Sequence, residues 1–275
     1  MGLITWAQNP WGREVPVHIA WYLLWVSLFA GLAFLVVHAI WIRFRSKAGD
    51  LPEGVPPEIG ACVPEKVVRH SLPARIFHWV MAAAMLTLLF SAFLPKVGER
   101  FAWVSIHWTA GVILVLAIVF HIVHAVFFMD FWSIWPDKTD LENGWRGIRR
   151  AFGNAGPAPG KPGKYPLGNE LYHLAVVAAG LCMAITGVLM MSRVRTPFFA
   201  RNPYLFDDMT WGVVYVFHGF AGVGLIALVT IHVYFALRPE KLPVTKAMVL
   251  GVMERDYYLE HHDPRQWGCD TQSPR

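Results

Sequence analysis

The sequence predicts an all-α membrane protein with five transmembrane helices, on the basis of its composition and its long apolar segments. Of the 275 residues, 55% are hydrophobic and 16% are charged, a balance too apolar for an ordinary soluble domain. A helix needs about 20 apolar residues to cross a hydrocarbon core about 30 Å thick. Five segments reach that length, at about 17–42, 74–95, 103–128, 170–192 and 211–237.

The first apolar segment is predicted to be a retained helix and not a signal peptide. No basic region precedes it, and IRFRSK follows it in place of a small-residue cleavage site. We therefore expect an N-terminal transmembrane helix within residues 1–45. The Pro- and Gly-rich stretch 46–69 is predicted to be a linker, followed by a four-helix bundle at 70–240 and a cytoplasmic tail at 241–275.

The distribution of the 24 Lys and Arg residues predicts the orientation in the membrane. Six of these residues lie in each of three segments: 43–73 with Arg75, 129–169 and 238–275. The other segments outside the apolar spans carry fewer, with one in 1–16, two in 96–102 and three in 193–210. Because Lys and Arg concentrate in cytoplasmic loops, the N-terminus is expected outside and the C-terminus in the cytoplasm. The net charge of +5 then reflects topology, and no motif indicates a nucleic-acid partner.

The three cysteines, Cys62, Cys182 and Cys269, stand too far apart to form a metal-binding motif. The sequence contains no CxxCH for a c-type haem and no CxxC for iron–sulfur or zinc. Any haem would therefore be haem b, held without a covalent bond by His or Met.

Two histidines of the last apolar segment, His218 and His232, lie fourteen residues apart. Fourteen helical steps of about 100° return the second to within ~40° of the first, about 21 Å along the axis. One histidine thus lies near each leaflet, where an imidazole needs a partner, and haem iron is a common one. This spacing predicts two haem sites, one on each side of the membrane.

The other ligands are predicted from the side of the membrane on which each histidine falls. His107 begins the third apolar segment near the outside, and His78 begins the second near the cytoplasm. Because six-coordinate haem iron takes two opposed axial ligands, we expect His107 with His218 at an outer haem b, and His78 with His232 at an inner haem b.

Both predicted outer ligands are followed by glycine four residues later, Gly111 after His107 and Gly222 after His218. Residues four apart share a helix face, so a missing side chain there would let a flat porphyrin approach the backbone. The alternative is that these glycines serve close helix–helix contact.

Other histidines leave alternatives open. His121 also stands fourteen residues after His107, so it would serve equally well by spacing as the inner ligand in place of His78. A haem-free transporter or anchor with histidines in a proton relay is the alternative of another class. His261 and His262, adjacent on the polar tail, are expected to be solvated.

Helices 2–5 and the tail resemble the gamma, or cytochrome b, subunit of respiratory formate dehydrogenase. That subunit is one of the four-helix di-haem b cytochromes, which include nickel–iron hydrogenase cytochrome b. The motifs that carry the resemblance are R-x-x-HW at His78, H-x-x-x-G at His107, H-x-x-x-G-x9-H from His218 to His232, PDK-x-D at 136–140, GKY-x-x-G at 163–168, TGV at 186–188 and HHxPR at 261–265. The resemblance covers about residues 70–275, and the helix at 17–42 lies outside it.

The resemblance implies ligand and quinone positions. It implies that the HW histidine, His78, shares the inner haem with His232, which favours His78 over His121. It also implies a quinone beside the inner haem, under the GKY loop, at Gly168, Asn169 and His232. The usual GKYNAGQ loop reads GKYPLGN here, so Pro166 replaces an Asn and supplies no side-chain hydrogen bond.

The expected function is therefore a membrane-anchoring di-haem cytochrome b that passes electrons from an iron–sulfur partner through two b haems to menaquinone or ubiquinone. The partners implied are that iron–sulfur subunit and a molybdenum or tungsten catalytic subunit, in a bacterial inner membrane. The chain carries no substrate-oxidising site of its own, so its enzymatic role would be quinone reduction within the complex. The same cytochrome in a hydrogenase or a sulfur-compound reductase, oxidising quinol, is the nearest alternative.

Overall fold

The computed structural model describes residues 2–44, 60–61, 63–151, 153 and 156–268. Cys62, Cys269, the greater part of the expected linker at 46–59 and the end of the expected tail at 269–275 lie outside the described residues. The chain divides into two compact units, which we call unit 1 and unit 2. Unit 1 comprises Met1–Ile40, Phe77–Phe120 and Val176–Tyr234, and unit 2 comprises Trp41–Ile76, His121–Ala175 and Phe235–Arg275.

Five helices of the described chain are long and apolar enough to cross a membrane, which confirms the predicted all-α membrane architecture. In chain order the longer helices are α1 (Tyr22–Phe44), α2 (Leu72–Phe93), α3 (Trp103–Phe128), α4 (Lys138–Ala151), α5 (Leu167–Met191) and α6 (Asp208–Leu237), of which all but α4 are the spanning ones. At most 22% of the most apolar window of each spanning helix is buried inside the protein. The remaining apolar surface therefore suits contact with lipid.

The N-terminus of unit 1 is a β-hairpin, which the sequence analysis did not predict. Strand β1 (Ile4–Gln8) pairs antiparallel with strand β2 (Glu14–Ile19), so α1 begins at Tyr22 and not near residue 17. Asn9 turns the chain, because its Oδ1 accepts hydrogen bonds from the backbone N–H of Trp11 at 3.1 Å and of Arg13 at 2.9 Å.

The hairpin packs on α6 where that helix has no side chain. A Cβ on Gly212 would overlap the carbonyl oxygen of Pro16 and come within 2.8 Å of its Cγ. One on Gly219 would lie 2.9 Å from Ile19 Cγ1. These two glycines therefore allow β2 to approach the helix backbone.

Helices α1 and α6 also contact each other within unit 1. Ser27 Oγ donates a 2.6 Å hydrogen bond to the carbonyl of Val223, and the Cα of Gly31 faces Thr230 closely enough that a Cβ would lie 3.4 Å from its Cγ2. Small residues at such a crossing let two membrane helices come close. The apolar core of unit 1 consists of Ala84, Met85, Leu88, Ala110, Leu114, Met183 and Leu225.

Unit 2 contains a small folded cluster built from two segments expected to be a linker and a tail. Strand β3 (Lys66–Val68) pairs antiparallel with strand β4 (Val252–Glu254), and the tail also forms α7 (Leu242–Leu250) and α8 (Arg255–His261). Gly251, at φ +88°, ends α7 with its N–H bonded to Ala247. Residues 63–69 are therefore structured and not a linker. The core of this cluster is Val63, Val67, Ala247, Met253, Tyr258 and Trp267.

Candidate metal centres and the loop cluster

Helices α3 and α6 bring two imidazoles next to each other in unit 1. The ring centroids of His107 and His218 lie 6.3 Å apart, with 64° between the ring planes. An imidazole nitrogen binds a first-row metal at about 2 Å and lies roughly 1 Å from its own ring centroid, so two axial imidazoles on one iron hold their centroids about 6 Å apart. The pair thus has the separation that a single six-coordinate iron requires.

A buried hydroxyl fixes the tautomer of His218. Thr186 Oγ1 donates its only hydrogen to the backbone carbonyl of Cys182 at 2.5 Å. At 2.8 Å from His218 Nδ1, the same oxygen can therefore only accept a hydrogen bond, and Nδ1 carries the proton. The lone pair of His218 consequently lies on Nε2, free to bind a metal.

The same arrangement recurs at His107. Ser91 is 2% exposed. Its Oγ donates a hydrogen bond to the carbonyl of Leu88 at 3.2 Å and lies 2.9 Å from His107 Nδ1. His107 therefore also carries its proton on Nδ1 and its lone pair on Nε2. Two histidines with the same tautomer, each held by a hydroxyl from a neighbouring helix, are preorganised in a way that would suit a pair of metal ligands.

The second imidazole pair joins α2 to α6. The ring centroids of His78 and His232 lie 6.2 Å apart, with 54° between the planes, so this pair also has the separation of two axial ligands. The rival ligand, His121, belongs to unit 2, where it interacts electrostatically with His173 and His124. The pairing of His78 with His232 is therefore the one expected from the R-x-x-HW motif.

The glycines beside the first pair are not required by close packing. A Cβ on Gly111 would come no nearer than 3.9 Å to Leu88, and one on Gly222 no nearer than 4.0 Å to Met183. These are ordinary van der Waals distances, so a side chain would fit against the protein. The geometry favours the interpretation that the glycines leave room for a flat group beside the histidines.

Within the described residues no group of three or more His, Cys, Asp or Glu side chains is positioned to hold a metal ion. Each pair could supply two nitrogen ligands, and the other positions around a six-coordinate iron would then come from a non-protein ligand such as a porphyrin. The donor sets therefore fit haem b better than a metal held by side chains alone.

The GKY and HHxPR motifs contact each other around a buried arginine in unit 2. Arg69 is 3% exposed and lies over the rings of Tyr165, at 5.6 Å, and Trp267, at 5.4 Å. It also donates a 3.3 Å hydrogen bond to His262 Nε2, while His262 Nδ1 donates one of 2.6 Å to the carbonyl of Gly163. We call these five residues the loop cluster.

Burial in the loop cluster shifts the pKa values of its titratable members. Burial, and then the charge of Arg69, lowers the pKa of His262 to about 4, and burial lowers the pKa of Arg69 itself. Burial raises the pKa of the Tyr165 phenol. The expectation that His262 is solvated is therefore wrong, because tertiary contact buries it at 4% exposure as a neutral hydrogen-bonding residue. Its neighbour His261 stays partly exposed and stacks on Tyr257.

The predicted quinone residues, Gly168 and Asn169, lie in the first turn of α5 and are exposed. The backbone N–H of Asn169 donates a 2.8 Å hydrogen bond to the carbonyl of Pro166. Pro166 therefore takes part in the start of α5 through its backbone carbonyl. The side-chain amide of Asn169 faces the surface of the protein. The next residue, Glu170, is buried at 2% exposure.

Five residues of these sites were not given their roles by the sequence: Ser91, Thr186, Arg69, Glu170 and His262. Ser91 and Thr186 are isolated hydroxyls in apolar spans, which is a signal, although such residues usually bond their own helix. Arg69 is an ionisable residue just before a spanning helix, and Glu170 is one in the first turn of another. Only tertiary contact distinguishes them from ordinary interfacial charges.

Comparison with known proteins identifies the family of this chain. The family described as prokaryotic cytochrome b561 matches residues 69–251. The chain is 26% identical over 210 residues to the cytochrome b556(fdo) subunit of formate dehydrogenase from Escherichia coli K12, covering 72% of this chain and 90% of that protein. It is 24% identical over 218 residues to the formate dehydrogenase cytochrome b556 subunit of Haemophilus influenzae, covering 73% and 82%. The chain therefore belongs to the prokaryotic cytochrome b561 family of multi-pass membrane proteins.

Proposed function

We propose that this protein is the di-haem cytochrome b subunit of a respiratory formate dehydrogenase-like complex and passes electrons to quinone. The observation that carries the proposal is the presence of two facing histidine pairs at 6.3 and 6.2 Å, with one member of each pair on α6. The names of the similar formate dehydrogenase subunits support the choice of complex.

The residues of the chain would bind and orient the cofactor. His107 and His218 would present Nε2 to an outer haem b, since Ser91 and Thr186 hold the Nδ1 protons. His78 and His232 would be the axial ligands of an inner haem b. Haem b, when bound, supplies reversible one-electron transfer between ferric and ferrous iron.

The charge asymmetry of the loops supports the direction of the pathway. With the N-terminus outside, the His107 end faces the side on which an iron–sulfur subunit and a molybdenum or tungsten subunit would dock. The loops rich in Lys and Arg lie in the cytoplasm. Quinone reduced there would take its protons from the cytoplasm, so that oxidation of substrate outside would separate charge across the membrane.

The quinone headgroup would bind at Gly168 and Asn169. A quinone oxygen that gains negative charge needs a hydrogen-bond donor, and Asn169 is an exposed amide in the first turn of α5. Asn169→Leu should slow the reoxidation of the b haems by quinone at least about tenfold, while partner-driven haem reduction stays fast. Reoxidation at the normal rate in that variant would exclude Asn169 as a donor.

Haem content tests the ligand assignment directly. Pyridine haemochrome assay of the purified complex should give two b haems per chain, falling to one in His107→Ala, His218→Ala, His78→Ala or His232→Ala. His121→Ala is the matched control and should retain both. If His121→Ala loses a haem and His78→Ala keeps two, the inner assignment is wrong. Co-purification of an iron–sulfur chain and a formate-oxidising chain tests the choice of complex.

A further inference from the structure

Among the buried polar atoms of unit 2 that have no hydrogen-bond partner in the described part of the chain, three lie in or beside the first turns of α5. They are Glu170 Oε2, His173 Nδ1 and Trp135 Nε1. A buried polar atom without a partner is costly, so native proteins satisfy such atoms with water or with a ligand. The most notable is Glu170, because a carboxyl group that is 2% exposed is rare without an ion pair or a function.

The three atoms belong to one neighbourhood. Glu170 and His173 stand three residues apart in the first turns of α5, so their side chains share a helix face. The ring of Trp135 meets that of His173 at 88°, with the centroids 6.3 Å apart. His121, on α3, also interacts electrostatically with His173. Gly168 and Asn169, at the proposed quinone site, lie in the same first turn as Glu170.

Two further carboxylates, nearer the surface, interact electrostatically with Glu170. Asp137 is exposed and Asp140 is half-buried, at the start of α4. The backbone N–H of Asp140 donates to Asp137 Oδ1 at 2.8 Å, and that of Asp137 donates to Asp140 Oδ2 at 3.2 Å. Both charges act on Glu170. Exposure therefore falls step by step from Asp137 through Asp140 to Glu170.

Such a gradation is what proton delivery to a buried site requires. The outermost group exchanges with water, and the innermost holds a proton near the acceptor, where a carboxyl can act as general acid. Burial raises the pKa of Asp140, so a proton resides more readily on the intermediate group than on a free aspartate.

We infer that Asp137, Asp140 and Glu170, with His173, form the proton-entry path for quinone reduction at Gly168 and Asn169. The inference rests on the proposed function. One quinone takes two electrons from the complex and two protons to become a quinol with two O–H groups. Each proton leaves the Glu170 carboxyl, directly or through His173, for a quinone oxygen. The Glu170 carboxylate is then reprotonated from water through Asp140 and Asp137.

The test uses the intact complex with both haems bound and a water-soluble benzoquinone as oxidant. Stopped-flow absorbance should show that Glu170→Gln slows reoxidation of the b haems about tenfold or more, with the loss growing as pH rises and free protons become scarce. Glu142→Gln is the matched control, since Glu142 is a surface carboxylate of α4 with its side chain 52% exposed. It should reoxidise at the unmodified rate at every pH.

A second readout does not depend on turnover. Redox-difference infrared spectra of the unmodified complex should contain the C=O stretch of a protonated carboxyl group, which should be lost in Glu170→Gln and retained in Glu142→Gln. Glu170→Asp keeps the acid and should restore reoxidation to within about threefold of normal, which also covers the case in which Glu170→Gln fails to assemble.

The outcomes distinguish the path from the proposed function. If the unmodified complex reduces quinone and Glu170→Gln does so equally fast at all pH values with an unchanged infrared spectrum, the path is wrong and the proposed function stands. If the unmodified complex holds haem but does not reduce quinone, both fail. If haem reoxidation in Glu170→Asp is as slow as in Glu170→Gln, Glu170 matters through its size and packing and not as an acid. The proton-entry path is then excluded as well.

Discussion

The hydroxyl of Thr186 should set the midpoint potential of the outer haem. Thr186 Oγ1 accepts a hydrogen bond from His218 Nδ1–H, which makes the imidazole a stronger donor and stabilises ferric iron. Thr186→Val removes the acceptor while keeping the branched shape of the side chain. The variant should still bind the haem, but with a higher midpoint potential. The missing hydrogen bond destabilises the ferric state more than the ferrous state.

The size of the shift follows from the energy of the bond. A neutral hydrogen bond contributes about 1 kcal/mol, and about 1.4 kcal/mol corresponds to 59 mV for one electron. Because the bond exists in both oxidation states and only the difference counts, about 40 mV is an upper bound, and we expect a rise of about 20–40 mV. Ser91→Ala, which removes the corresponding acceptor for His107, should raise the same potential by a similar amount.

Spectroelectrochemical titration of the purified complex, which resolves the two b haems, measures this shift. The inner haem is an internal control. Thr87→Val is the matched variant, because that hydroxyl donates to its own helix, at the carbonyl of Ala83, and both potentials should stay unchanged. An unchanged outer potential in Thr186→Val, a fall in place of a rise, or an equal shift of both haems would refute the tautomer argument.

Three further predictions concern other parts of the molecule. The pKa of His262 is about 4 in the folded protein against 6.5 ordinarily. Its contribution to the free energy of unfolding is therefore fully present above pH 6.5 and is lost as the pH falls toward 4. At pH 5 hydrogen exchange in residues 255–268 should report a loss of about 2 kcal/mol, and a His262→Gln variant should lack this pH dependence. Gly212→Ala should displace strand β2 from α6 at about 1–3 kcal/mol, seen as faster exchange or proteolysis of the hairpin. Gly224→Ala, where a Cβ meets nothing within 4 Å, should leave the hairpin unchanged. The C-terminus should lie in the cytoplasm, so a reporter that works only in the cytoplasm should be active when fused after Arg275. Activity there of a reporter that works only in the periplasm would show that the orientation is the opposite one.

The membrane architecture could be predicted from the sequence because the physics behind it is local. Five apolar segments of sufficient length must be helical in lipid, where each backbone polar group needs an internal partner. The spacing of His218 and His232 fixes their common face in the same way, since helical geometry alone determines it. The motifs around His78 and His107 then indicated which helices would meet α6.

The errors occurred where the outcome depends on contact between distant segments. Residues 14–19 continue the apolar character of the first span, yet they form β2, because a turn at Asn9 and the glycines of α6 give the strand a surface to pack on. Residues 63–69 have the composition of a linker, but Val67 is fully buried once β3 pairs with β4. The α6 surface on which β2 packs and the strand that pairs with β3 both lie far along the chain, so neither contact is visible in a local pattern.

The sequence by itself predicted the five spanning helices and the histidines that we propose to hold two haems. Both follow from hydrophobicity and from the 3.6-residue repeat, which act within one segment. Tertiary structure alone decided the chemical state of those residues. It supplied the hydroxyls of Ser91 and Thr186 that fix the histidine tautomers, buried His262 against Arg69, and left Glu170 buried with an unpaired oxygen. Hydrogen bonding and desolvation depend on what surrounds a group, and the chain determines those surroundings only by folding.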